Sequence, residues 1–183
     1  MAVFADLEKA LNDIFGKKAP ALPKSGKDFL VTYVPYISLI IGLFSLASLW
    51  SLWHWAHVAN RLIDYANQLN RMYGTHEVIA SRMTVGIWLS LLVLVVEAFL
   101  YLAAFGPTKA REKTGWNLLF YAALVNIVYG FILMFTDYSG VGSFVGTLIG
   151  SALGFYFLFQ IRERYLGAAK KIEAKTPSKT VKK

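Results

Sequence analysis

The chain has 183 residues, of which 56% are hydrophobic and 16% are charged, and its mean hydropathy is +0.48. A single soluble core of this size does not need so much apolar surface, so the composition excludes an ordinary soluble domain and predicts a membrane protein. The absence of cysteine excludes disulfide bonds, thiolate-bound metals, iron–sulfur clusters and a cysteine nucleophile.

Residues 1–18 predict a short amphipathic helix, because their apolar side chains recur at helical spacing. Acidic residues precede any basic residue, and no apolar run of seven or more residues follows within this segment, so it is not a secretory signal. We expect the helix to lie in the interfacial plane of the membrane; the alternative is that it folds against the protein's own cytoplasmic loops. Residues 19–30 form a predicted linker, broken by Pro20 and Pro23.

Residues 31–161 predict an all-α fold, a bundle of four transmembrane helices. The predicted spans are about 31–53, 83–105, 115–136 and 141–161. Gly106 and Pro107 are expected to end the second span. Residues 54–74 alternate apolar and polar side chains at helical spacing and predict an amphipathic arm that continues the first helix.

Residues 162–183 form a lysine-rich segment whose end, from Thr176 and Pro177 onward, is expected to be disordered. With four spans, 16 of the 19 Lys and Arg residues fall on one side of the membrane. The positive-inside rule then predicts a multi-pass protein of the cell membrane with both termini cytoplasmic and the arm outside. We expect the tail to attract anionic lipids. It lacks the interleaved aromatic residues typical of single-strand binding, so no specific nucleic-acid partner is predicted.

Glycine recurs at every fourth residue of the last span, at Gly142, Gly146, Gly150 and Gly154. Residues four apart share one face of a helix, so these glycines predict a groove in which another helix approaches the backbone closely. Two partners remain open. The groove packs within the chain, against the third span or against a face of the first span formed by Ser38, Gly42 and Ser45, or it joins two copies in a homo-oligomer.

Glu97 is the one acidic residue inside the predicted spans. A charged, unpaired carboxylate near the bilayer centre costs roughly 2.5 kcal/mol or more. The helical rise brings Glu97, Asn126 and Ser151 to a similar depth, which predicts an intramembrane polar layer. In one interpretation Glu97 is a proton or cation site of a transporter. In the other it is a protonated acid that hydrogen-bonds to Asn126 or Ser151 and sets the helix register.

His54 and His57 lie three residues apart near the outer end of the first span, so their imidazoles project from one face of the helix. They are weak candidates for a metal site, because a metal needs a third or fourth ligand and no spacing requires Asp64, His76 or Glu77 to supply it. We prefer the interpretation that the neighbouring Trp53 and Trp55 anchor this region at the membrane interface. We predict no bound metal and no cofactor.

No catalytic motif for phosphate binding, serine hydrolysis or zinc proteolysis is present in the sequence. The leading hypothesis is therefore a small non-enzymatic integral membrane protein. It would be embedded in the lipid bilayer and would act as a subunit or adaptor that packs through the glycine groove. The alternative is a small oligomeric channel or proton-coupled transporter that uses the polar layer around Glu97. An enzyme built on His54 and His57 is the third hypothesis.

Overall fold

The computed structural model describes residues 2–74, 78–79, 85–134 and 141–173, with side chains described over residues 4–74, 78–79, 85–134, 142 and 144–166. Residues 83–84 and 135–136, at the edges of two predicted spans, lie outside this part of the chain, as do His76, Glu77 and the end of the basic tail beyond residue 173. All regular structure in the described ranges is helical: α1 (Ala2–Leu11), a π-helical segment (Asn12–Lys18), α2 (Lys24–Met72), α3 (Val85–Lys109), α4 (Lys113–Leu133) and α5 (Val141–Glu173).

Four of these helices are long and apolar enough to cross a membrane: α2, α3, α4 and, within α5, Phe144–Leu166. The predicted all-α fold with four such helices is therefore confirmed. Most of their apolar side chains are not covered by the protein, since no more than 28% of each apolar window is buried. Lipid is the environment in which such exposed apolar surface is stable.

The helices pack in chain order, with α2 along α3, α3 along α4 and α4 along α5, while α5 meets α2 over a much smaller area. At one end of the bundle α2 and α4 begin and α3 ends. We call this the basic end, because cationic residues at or near the ends of all four helices lie there: Lys24, Lys27, Lys109, Arg111, Lys113, Arg162 and Arg164. Here the Arg164 guanidinium binds the Asp28 carboxylate at 2.8 Å and joins α5 to α2.

The main core also lies near the basic end, where Trp116 and Phe120 of α4 stack with ring centroids 5.3 Å apart. The Trp116 indole donates a 2.9 Å hydrogen bond to the Leu158 carbonyl, so this tryptophan fixes the position of α5 against α4. The cluster is completed by residues of α2 and α5: Val31, Phe155, Leu158, Phe159, Ile161 and Tyr165.

The predicted arm is part of one continuous helix of 49 residues, since α2 runs from Lys24 to Met72. Ala56 packs against Ile87 and Leu91 near the start of α3, so the later turns of α2 extend beyond the bundle. The Asn67 side chain of this extension holds the chain segment that follows. It accepts a 2.7 Å hydrogen bond from the Ile79 amide and donates one of 3.0 Å to the Ile79 carbonyl.

The second span was expected to stop at Gly106 and Pro107. This prediction was wrong, because α3 continues through both residues to Lys109. The chain turns at Arg111, two residues beyond the end of α3, where its φ of 59° is left-handed. The Arg111 amide donates to the Thr108 carbonyl and the Glu112 amide to the Pro107 carbonyl, so the last carbonyls of α3 are satisfied by the turn itself. Pro107 has no amide hydrogen, so α3 lacks one backbone hydrogen bond in its last turn.

The N-terminal segment, α1 with its π-helical continuation, docks on α5 and α4. Leu11 and Phe15 pack against the main core, and Glu8 binds Arg162, whose Nε lies 3.0 Å from the Glu8 carboxylate. The segment therefore packs on transmembrane-length helices of the bundle. Phe4, Leu7 and Ile14 remain exposed on the other side of the segment, so the insertion of this face into the interface stays a prediction.

Candidate functional site

Two groups of helix glycines differ in their surroundings, and the first group makes close contacts inside the chain. A Cβ atom added at Gly42 of α2 would lie 2.8 Å from Leu102 Cγ of α3. One added at Gly130 of α4 would lie 2.7 Å from Thr147 Cγ2 of α5. At these positions only glycine lets the neighbouring helix come so close, so they explain two of the internal crossings.

The second group consists of the four glycines of the α5 groove. A Cβ atom added at Gly142, Gly146, Gly150 or Gly154 would meet no atom within 4 Å. All four are exposed, so none of the described helices covers them. We call this surface the glycine face.

The expected partner of the glycine face within the chain is engaged elsewhere. Ser38, Gly42 and Ser45 are buried, and Gly42 lies against Leu102 of α3. The hydroxyls of Ser38 and Ser45 donate to carbonyls of their own helix, at Pro35 and Ile41. The expectation that this small-residue face of α2 packs on the glycine face is thus not met, because α2 uses it to approach its sequence neighbour α3.

Two adjoining cavities open beside the glycine face, and both are lined by Tyr101, Ala123 and Gly154. The one of about 160 Å³ extends to Ser38 and Ile41 of α2. The other, of about 310 Å³, is bounded by α3, α4 and α5 and has four further lining residues: Asn126, Thr147, Gly150 and Ser151. Together we call them the α5 cleft. Gly150 and Gly154 form part of its wall.

The structure brings Asn126 and Ser151 of the predicted polar layer to one cavity. Glu97 does not line this cavity, but it precedes Tyr101 by one helical turn on α3 and is half-buried. Tyr101 was missed by sequence reasoning. Its spacing of four residues from the only acid of the spans is the signal that could have identified it.

The depth of Glu97 follows from the contacts between α3 and α4. Toward the far end of α3, the Ser90 hydroxyl lies 2.7 Å from the Tyr129 hydroxyl of α4. At the basic end, Thr108 of α3 packs against the backbone of Gly115. Glu97 lies between these two contacts, so it is level with the middle of α4, where Asn126 lies.

The polar groups at this depth are not satisfied within the described part of the chain. No side chain or backbone group there forms a hydrogen bond with the Glu97 carboxyl or with the Asn126 amide. The hydrocarbon core of a bilayer offers neither donors nor acceptors, so in a membrane such groups would require water or a polar partner. The α5 cleft thus combines an open backbone surface with Asn126, which has no hydrogen-bond partner among the described residues, and Glu97 lies nearby at the same depth.

The two candidate histidines, His54 and His57, differ in their contacts. His57 Nδ1 donates a 2.9 Å hydrogen bond to the Trp53 carbonyl, and its ring lies on the Trp53 ring with centroids 4.2 Å apart. His54 is exposed. Among the described residues, no group of three or more His, Cys, Asp or Glu side chains is placed to hold a metal. A metal site here would need ligands from outside these ranges.

Comparisons with models of protein families, with curated proteins and with solved structures find no match to this chain. The geometry of the α5 cleft and the glycine face is therefore the basis of the functional proposal.

Proposed function

We propose that this chain is a non-enzymatic subunit or adaptor of a membrane assembly, and that it binds a transmembrane helix of another subunit along the glycine face. The observation that carries this proposal is the open space at Gly142, Gly146, Gly150 and Gly154, where an added Cβ would meet no atom within 4 Å. Helix-to-helix contacts in membranes depend on small residues that let two backbones approach.

The contrast with the internal glycines supports the same conclusion. Gly42 and Gly130 permit close crossings that the structure contains. The four glycines of α5 permit an equally close crossing, but no described helix occupies it. Each glycine in a helix costs roughly 1 kcal/mol relative to alanine, and a helix bound from outside the chain offsets this cost by packing and hydrogen bonding.

We further propose that the chain lies in the cell membrane with both termini in the cytoplasm. The support is the location of the basic end, since 16 of the 19 Lys and Arg residues fall on that side of four spans. Lys24, Lys109 and Arg111 are exposed there and suit anionic lipid head groups, together with the basic tail.

Filling the glycine face tests the subunit proposal. We expect Gly146→Leu with Gly150→Leu to shift the protein, purified from its native membrane in mild detergent, from a larger complex to the isolated chain. Gly106→Leu is the matched control, because a Cβ at Gly106 of α3 also meets no atom within 4 Å but lies outside the glycine face. An unchanged complex for the double variant would contradict the proposal, and the mass of the complex shows whether the partner is a second copy.

The second function is transport of protons or cations, and one observation favours it. Tyr101, Asn126 and Ser151 line a common cavity of about 310 Å³ at membrane depth, level with Glu97. Glu97→Gln keeps the size of the side chain and removes its charge. If transport is the function, this variant should abolish proton uptake into vesicles containing the purified protein while its thermal stability is retained. Equal proton uptake by the unchanged chain and by Glu97→Gln, or no uptake by either, would count against transport.

A further inference from the structure

The α5 cleft differs from a purely apolar packing groove, because polar groups surround it at the depth of Glu97. Thr147 of α5 packs on Gly130 of α4, and the Trp116 indole of α4 binds the Leu158 carbonyl of α5. Asn126 lies between these two contacts along α4, so it is level with the stretch of α5 that contains Gly150 and Gly154. A helix seated on those two glycines would pass Asn126 and Glu97 at the same depth.

Charge limits what such a helix can be. The spans contain no Lys or Arg between Asp28 and Arg61, between Thr84 and Thr108, or between Thr114 and Ile161. The cations at the basic end lie several turns from Glu97, and Arg162 and Arg164 already bind Glu8 and Asp28. A second copy of this chain therefore has no basic side chain to offer at the depth of Glu97.

We propose that the helix bound in the α5 cleft belongs to a different protein and carries one Lys or Arg near the middle of its span, paired with Glu97. This inference rests on the proposed subunit function and names the chemistry of the partner. A base at this position would compensate the only acid of the spans, and Asn126 and Tyr101 would supply hydrogen bonds around the pair. Small residues on the partner would face Gly150 and Gly154.

The probe is a synthetic transmembrane peptide of about 20 Leu and Ala residues with a single Lys at its centre. Comparison peptides carry Leu or Gln at the centre, or the Lys two turns closer to one end. The full chain is placed in lipid vesicles with a dye on one cysteine introduced at exposed Ser25, which is straightforward because the chain has no cysteine of its own. Energy transfer to a labelled peptide reports association.

We expect the central-Lys peptide to bind roughly tenfold more tightly than the Leu peptide, the scale of polar contacts between model helices. The off-centre Lys should lose this advantage, and Glu97→Gln should remove it. Glu97→Lys should reverse the preference in favour of a peptide with a central Glu. If either Glu97 variant fails to fold, the peptide series on the unchanged chain still decides the result.

Three results of the peptide series would overturn the inference. They are equal binding of the Lys, Gln and Leu peptides, a preference for Lys that persists in Glu97→Gln, and no binding by any peptide. If all peptides bind equally and Gly150→Leu abolishes their binding, the partner does not need a basic residue. The proposed subunit function would then still stand. Binding of a second copy of the chain that excludes the peptides would also overturn the inference.

Discussion

The side-chain amide of Gln160 in α5 donates a 3.0 Å hydrogen bond to the backbone carbonyl of Phe15, in the π-helical part of the N-terminal segment. Its oxygen accepts a second bond of 3.1 Å from the amide of Leu22. One buried side chain thus joins the last helix of the bundle to both sides of the turn that precedes α2. The Tyr156 hydroxyl adds a bond to the Pro20 carbonyl within that turn.

Gln160→Leu should release the N-terminal segment from α5. Leucine fills a similar volume but leaves the Phe15 carbonyl and the Leu22 amide without their partner, at a cost of about 1–3 kcal/mol. We expect faster amide hydrogen exchange over residues 8–22, with exchange in α3 unchanged. Gln68→Leu, on an exposed position of α2, is the control and should leave the segment protected. Equal protection in both variants would show that Gln160 does not hold it.

Trp116→Phe should weaken the packing of α4 against α5. Trp116 is buried, its indole binds the Leu158 carbonyl at 2.9 Å, and the Arg162 guanidinium lies 5.6 Å from its ring centroid. Phenylalanine removes the hydrogen bond and part of the ring, so we expect a loss of about 1–2 kcal/mol, measured as a lower Tm in detergent. Trp50→Phe, at an exposed position, should leave Tm unchanged.

Gly130→Ala should lower the stability of the isolated chain, whereas Gly146→Ala should not. The new methyl at Gly130 would lie 2.7 Å from Thr147 Cγ2, so the Thr147 side chain must rotate or α4 and α5 must separate, at a cost of about 1–3 kcal/mol. At Gly146 the methyl meets no atom within 4 Å, and alanine favours the helix. Thermal unfolding of the monomer measures both effects. Thr147→Ser removes the opposing methyl and should restore part of the stability lost in Gly130→Ala.

The Asp13–Lys17 pair should make the stability of the N-terminal segment depend on pH in the acid range. The Lys17 ammonium, 2.7 Å from the Asp13 carboxylate, lowers the pKa of that carboxyl below its usual value by hydrogen bonding and by charge. A lowered pKa in the folded state contributes stability at neutral pH that is lost as the pH falls through that pKa. The pair is exposed, so the effect should be small and weaken with salt. Asp13→Asn should remove this acid step from the exchange profile of residues 12–18, and persistence of the step would assign it to another group.

The number and type of the elements could be predicted from the sequence, because hydropathy and helical length are local properties. Four apolar helices follow from four long uncharged stretches. The amphipathic pattern after Trp55 indicated helix, and α2 indeed continues to Met72. Likewise the spacing of Gly142, Gly146, Gly150 and Gly154 was sufficient to define one face of α5.

Only the tertiary structure decided which faces meet. A pattern of small residues indicates a close crossing but does not choose the partner, because any helix of suitable register can occupy it. The short turn at Arg111 forces α3 and α4 to lie side by side, and α2 buries Gly42 on Leu102 of α3. The glycine face of α5 is left open as a consequence. Gln160 and Tyr101 gained their positions in the same way, through contacts between residues far apart in the chain, which local periodicity does not encode.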